Sequence, residues 1–222
     1  MRYALSRPDE VAERFGVDGP MPALRPRYNI APTQEVPVIF AENGEIRCSM
    51  AQWGLVPSWK QTAESGEWLF NARAETLEEK PAFRGLLSGS RCIFPATGFY
   101  EWKRERGRSF PYYVYLRDAP LFACAGLYDR WRPPGLGEER MTCVMITCDA
   151  NPLVGKIHGR MPVILAQPLE DVWLRGKEDY LPVLTPFPAG GMGCHHVDER
   201  VNAPVDDDPG LIIPVHPDHR WW

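Results

Sequence analysis

The chain has 222 residues and a formal net charge of -4, a length that suits one domain, or two small ones, with a real core. With 44% hydrophobic residues, disorder over most of the chain is excluded. The acid excess excludes a protein that coats nucleic acid by bulk charge, yet it is uneven: residues 1–165 carry 21 basic against 19 acidic side chains, residues 166–222 carry 4 against 10.

In chain order, Ser6 to Phe15 reads as a short helix, with Ser6 as N-cap and acids in its first turn. Residues 17–34 are rich in Pro and Gly and read as a loop ending in Arg27-Tyr28-Asn29-Ile30-Ala31-Pro32-Thr33, whose aromatic and amide content makes it more than a spacer. Val36 to Phe40, Ile46 to Trp53 and Trp68 to Arg73 have strand composition. Thr76-x-x-Glu79 is a capping-box pattern before a broken helix holding Phe83 and Arg84. Strands are expected at Arg91 to Phe94, Gly98 to Lys103, Pro111 to Leu116, Leu121 to Tyr128 and Met141 to Thr147, with a Pro/Gly-rich loop at 130–140. Asn151-Pro152 has the form of an N-cap followed by Pro at the first helical position. Ile157 to Leu165 reads as a strand and Pro168 to Arg175 as a helix stopped by Gly176. The rest reads as irregular and acidic, ending in Trp221-Trp222. The pattern is α+β: a single strand-rich domain over 1–222, with a curved or barrel-like mixed β core, a few short helices and an irregular tail at 205–222.

No run of about 18 apolar residues is present, and the N-terminus lacks a secretory stretch, so a cytoplasmic protein without membrane contact is expected. The six cysteines (48, 92, 124, 143, 148 and 194) are scattered without a C-x-x-C pair and are expected to be free core thiols. Cys194-His195-His196 with Asp198 offers ligand types without the spacing of a zinc site, so no metal and no cofactor are expected.

Four segments could carry chemistry. In Asn71-Ala72-Arg73-Ala74-Glu75, extended backbone puts Asn71, Arg73 and Glu75 on one face, suited to phosphate and sugar oxygens, or alternatively a solvated face with an internal Arg–Glu pair. In Gly98-Phe99-Tyr100-Glu101-Trp102-Lys103 a carboxylate lies among aromatics; burial there raises its pKa and suits it to proton transfer, whereas an edge-strand Glu would stay in water. Ile157-His158-Gly159-Arg160-Met161-Pro162 sets a His and an Arg two apart, sharing a face on a strand: a proton shuttle beside a phosphate holder, or a structural His. Trp53-Gly54-Leu55-Val56-Pro57-Ser58-Trp59 puts two indoles around a turn, either stacking on unpaired bases or buried as core. No G-x-S-x-G elbow, Walker loop or G-x-G-x-x-G is present, and no Ser-His or Cys-His nucleophile supports general proteolysis.

Taken in order, the runs 27–33, 53–57, 71–76, 98–103 and 157–162 resemble the SRAP family, the SOS-response-associated peptidase-like, abasic-site processing proteins. The resemblance spans nearly the whole chain. It implies a mixed domain around a curved β core with a groove for single-stranded DNA carrying an abasic site, and a place in the DNA damage response. In that family an N-terminal cysteine forms an imine with the opened sugar through its α-amine, and its thiolate closes a thiazolidine, a stable DNA–protein crosslink. An α-amine with an ordinary pKa near 7.7–8.0 is partly neutral at pH 7, unlike a lysine. The resemblance gives Asn71 the positioning of amine and sugar, Glu101 the proton transfers, and His158 the sugar hydroxyl and later release or lyase steps. It sets Arg73 and Arg160 on phosphates, Trp53 and Trp102 on the walls of the base path, and Arg2, Pro32, Trp59 and Arg84 along the DNA. A monomer that joins the nucleoid when DNA is damaged is expected.

The family opens Met-Cys-Gly-Arg-aromatic, whereas this chain runs Met1-Arg2-Tyr3, so Cys-Gly after Met1 would restore the pattern. Bulky Arg2 is expected to keep Met1 in place. A start two residues short, a variant that reads lesions without a thiazolidine, and another activity on the same scaffold remain open. So does a non-catalytic single-stranded DNA-binding module that needs neither Glu101 nor His158.

Overall fold

The computed structural model describes residues 1–61, 68–133, 135, 137–176 and 180–215; the expected Trp221-Trp222 end lies outside them. Strands dominate, in two sheets. The first runs β13 (Met192–His196), β8 (Arg108–Leu116), β7 (Gly98–Glu105), β1 (Arg2–Leu5) and β2 (Arg27–Ile30). The second contains β3 (Glu35–Glu42), β4 (Glu45–Trp53), β6 (Arg91–Ala96), β9 (Phe122–Trp131) and β10 (Arg140–Asp149). These five close on themselves: β10 pairs with β4, β4 with β3, β3 with β6, β6 with β9, and β9 again with β10. Three short strands attach: β5 (Asn71–Arg73) and β11 (Arg160–Pro162) on β10, and β12 (Ile164–Leu165) on β9. The expected α+β, barrel-like core is the architecture found.

Closure demands close approach of strands across the core. Gly126 of β9 meets it: a Cβ there would lie 2.4 Å from the Phe94 ring and 2.8 Å from the Val144 carbonyl oxygen. The core includes Trp53, Phe94 and Tyr3, with Tyr3 edge-on to both other rings. All six cysteines are buried thiols outside any disulfide, as expected. The Tyr3 hydroxyl is buried with no hydrogen-bond partner among the described residues. Such a group costs about 1–3 kcal/mol. Tyr3→Phe is therefore expected to stabilise the fold by about 1 kcal/mol in urea unfolding; a loss of stability would show that the hydroxyl has a partner.

Helices are short: α1 (Val11–Phe15), α2 (Pro81–Arg84) and α3 (Gln167–Arg175). Gly16, left-handed at φ +59°, ends α1. Ser6 does not cap it. Its backbone N–H and hydroxyl both engage the Thr97 hydroxyl, and the residues between form a 3-10 turn at Pro8–Glu10. The Thr76/Glu79 capping box does not form either; Lys80 is the N-cap of α2 and makes no side-chain cap bond. Asn151 does cap, its Oδ1 accepting from the Leu153 and Val154 N–H groups. The helix of 167–175 ends at Gly176 as read. It buries Trp173, whose indole N–H donates to the Cys92 carbonyl.

Three strands escape the sequence reading: β1, β2 inside the expected 17–34 loop, and β13 inside the expected irregular end. Residues 198–213 form two 3-10 turns, Glu199–Asn202 and Pro209–Ile212, and lie along β2. Among the described residues no helix is long and apolar enough to cross a membrane.

Candidate active site at the N-terminal amine

The site begins with strand register. β1 pairs antiparallel with β7 through Arg2 with Tyr100 and Tyr3 with Phe99, so one step further Met1 lies opposite Glu101. The Met1 amine is 4.0 Å from Glu101 Oε2. On the same oxygen, His158 Nδ1 lies at 3.9 Å. Glu101 is only 5% exposed, because β1 flanks it on one side and Tyr112 of β8 on the other. Burial pushes its carboxyl pKa above the ordinary 4.5, while the amine, His158 and the Trp102 backbone N–H pull it back down. The buried reading of Glu101 is thus the one realised.

His158 is exposed and precedes β11 instead of lying on a strand, so it does not share a strand face with Arg160. The turn between them folds back and brings His158 Nδ1 to 3.1 Å from both the N–H and the carbonyl oxygen of Arg160, so the ring tautomer sets whether Nδ1 accepts from the one or donates to the other.

Arg160 is not an open phosphate holder. Its Nη1 and Nη2 pair with the two Glu75 oxygens at 2.8 Å each, Nη1 with Asp149 at 2.7 Å, and Nη2 with the Thr147 carbonyl at 2.7 Å. These bonds hold the Glu75 carboxyl below its usual pKa and raise the guanidinium's. The internal Arg–Glu pair allowed for in segment 71–75 is not the one formed: Glu75 pairs with Arg160, from outside the segment. A phosphate arriving here competes with two carboxylates.

β5 pairs with β10 through Asn71 with Met145 and Arg73 with Thr147. Ala72 points inward while Asn71 and Arg73 stand exposed, the alternation expected of an extended segment. Arg84 is exposed at the end of α2, and Pro32 is half-buried in the turn before β3. That turn is stitched to β4 by bonds from Thr33 N–H to the Trp53 carbonyl and from Trp53 N–H to the Gln34 carbonyl.

The two indoles of segment 53–59 separate. Trp53 is 0% exposed, and its indole N–H donates to the Phe70 carbonyl, so it is core and does not line a base path. Trp59 is 63% exposed in a turn closed by Lys60 N–H to the Pro57 carbonyl. Trp102 is half-buried, and its indole N–H donates to Asn202 Oδ1. Arg2 lies over the Trp102 ring, with its donors on Asn29 Oδ1 and the carbonyls of Val201 and Asn202. Sequence reasoning passed over Asn202 and gave Asn29 no role, since these bonds join segments 100, 172 and 200 residues apart. Among the described residues no group of three His, Cys, Asp or Glu side chains is placed to hold a metal.

A family model described as SOS response associated peptidase (SRAP) matches residues 1–204. The chain is 41% identical over 211 residues to abasic site processing protein YoqW of Bacillus subtilis, covering 92% of this chain and 94% of that one. It is 32% identical over 226 residues to abasic site processing protein HMCES of Gallus gallus, covering 86% of this chain and 67% of that one. A crystal structure of a Bacteroides thetaiotaomicron protein superimposes with a TM-score of 0.88 at 32% identity, covering 97% and 99% of the two chains.

Proposed function

The chain belongs to the SOS response associated peptidase (SRAP) family, and on that premise we propose that it processes abasic sites, engaging the lesion in single-stranded DNA through its N-terminal amine. The observation that carries this reading is the amine 4.0 Å from a buried carboxyl that His158 also faces. Relatives named for abasic-site processing, in a bacterium and in a bird, support the substrate.

The chemistry follows from these groups. A ring-opened abasic sugar presents an aldehyde at C1′. The neutral amine adds to that carbon, forming a C–N bond and a carbinolamine. Glu101 takes the proton that nitrogen releases and returns it to the departing hydroxyl, so water leaves and an imine remains. Burial raises the pKa of Glu101 from the ordinary carboxyl value, which favours the protonated form needed to return that proton. His158 exchanges a proton with the sugar hydroxyl. Asn71 orients the opened sugar, while Arg73 and Arg84 hold the strand. Such a site reads few nucleotides and weakens as salt rises.

The test is a single-stranded oligonucleotide with one abasic site, treated with borohydride. A reduced protein–DNA adduct at Met1, located by mass spectrometry, is the expected result. It should exceed the adduct on the same lesion in duplex DNA. Insertion of Cys-Gly between Met1 and Arg2 is expected to give an adduct that survives heating without reductant, since none of the six buried thiols is offered to the imine. Absence of any trapped adduct removes the covalent reading. If binding persists unchanged in a Glu101/His158 double variant, a non-catalytic DNA-binding module takes its place.

A further inference from the structure

Two residues stand directly behind the reactive pair: Arg2 follows the Met1 amine, and Trp102 follows Glu101. Both are tied to one residue of the C-terminal segment. Arg2 Nη2 donates to the Asn202 carbonyl at 2.8 Å, and Trp102 Nε1 donates to Asn202 Oδ1 at 2.6 Å. The Arg2 guanidinium lies 5.7 Å from the Trp102 ring centre, filling the space between the two tethers.

Asn202 is itself held from below. Buried Asn29, 1% exposed, donates through Nδ2 to the carbonyls of Val201, Ala203 and Asp206, at 3.2, 3.0 and 2.9 Å. Its Oδ1 accepts from Arg2. Asp207 Oδ1 accepts from the backbone N–H groups of both Tyr28 and Asn29 in β2. The acid-rich stretch after β13 is therefore a strap laid along the sheet edge. Its hydrogen bonds converge on the two strands that carry the amine and the carboxyl.

We propose that Asn202 is a positioning residue that sets the spacing between the Met1 amine and Glu101, and that Asn29 anchors the strap presenting it. The proposal rests on the reading above insofar as that spacing matters for imine formation. Glu101 is faced by the Met1 amine and His158, so a retreat of the amine removes a charge that favours its ionised form. Asn202 is exposed, so its replacement leaves the core intact.

The experiment follows the Glu101 carboxyl by 13C NMR titration and the borohydride trapping rate in Asn202→Ala, Asn202→Asp and Asn29→Ala. Expected are an upward shift of the Glu101 midpoint and trapping slowed by about tenfold to a hundredfold in both alanine variants. Asn202→Asp keeps an acceptor for the indole N–H and restores the trapping rate. Hydrogen exchange of residues 198–208 should accelerate by about tenfold or more in Asn29→Ala. An unchanged or lowered midpoint, with the wild-type trapping rate, in Asn202→Ala overturns the proposal, and that variant decides alone if Asn29→Ala does not fold. If no protein forms an adduct but the midpoint still rises in Asn202→Ala, the covalent reading fails and the positioning role stands.

Discussion

Glu101→Gln is expected to slow adduct formation by about 10²- to 10⁴-fold, the usual contribution of a positioned general acid–base, and at the same time to stabilise the folded protein at neutral pH. The two effects share one cause. Burial raises the folded-state pKa of Glu101 above its ordinary 4.5, and the nearby amine and His158 only partly offset this. Well below 4.5 the carboxyl is protonated in both folded and unfolded chains, so it costs no stability. As pH rises above that value the unfolded chain ionises first, and the fold loses stability until the folded carboxyl ionises too. Glutamine never ionises. Its advantage is thus absent in acid, grows through the window between the two pKa values, and persists above it. Urea unfolding near pH 4 and again near pH 7.5, for both proteins, measures this directly. A variant less stable than the parent at the higher pH would mean that the amine–carboxyl attraction outweighs burial. A variant that keeps full trapping activity would remove Glu101 from the chemistry.

Much of the second sheet was legible because its strands are long and apolar: β3, β4, β6, β9 and β10 match expected segments to within a few residues at each end. The exposed pair Asn71 and Arg73 around buried Ala72 was legible too, because a period of two is a local signal. The missed strands are different. β1 and β2 have four residues each, and β13 has five. They are held by partners far along the chain, so their own composition shows little. Glu101 illustrates the same limit inside the site. Its aromatic neighbours suggested burial, but the burial comes from β1 and β8 closing over it, and the proximity of its reactive partners from the register that puts Met1 opposite it. Arg160 was read as a phosphate holder because Glu75, 85 residues away, and Asp149 are brought to it only by β10 and the turn after β5. The net acid excess has a comparable origin. Part of it is the strap, where Asp207 satisfies backbone donors of β2 and Asp198 and Asp208 pair with Arg200.

Trp53 and Trp59, six residues apart in one motif, are expected to respond oppositely to alanine. Trp53 is fully enclosed by the core, packed edge-on against Tyr3 and Phe94, and its indole N–H donates to the Phe70 carbonyl. Trp53→Ala leaves a cavity and orphans that carbonyl, for a loss of about 3–5 kcal/mol in unfolding free energy. The protein that remains folded should bind single-stranded DNA as before, because no base reaches this ring. Trp59 is 63% exposed, and its removal should change stability by less than about 0.5 kcal/mol. If Trp59 stacks on an unpaired base, Trp59→Ala weakens binding by about 1–3 kcal/mol at fixed salt, with little change in the salt dependence, since stacking releases no counterions. Chemical unfolding and fluorescence anisotropy, run on both variants, separate the two roles. Wild-type affinity in Trp59→Ala would take Trp59 out of the DNA path. Weakened affinity in folded Trp53→Ala, with the Pro32 turn still stitched to β4, would mean that a ring inside the core shapes the groove through the strand above it.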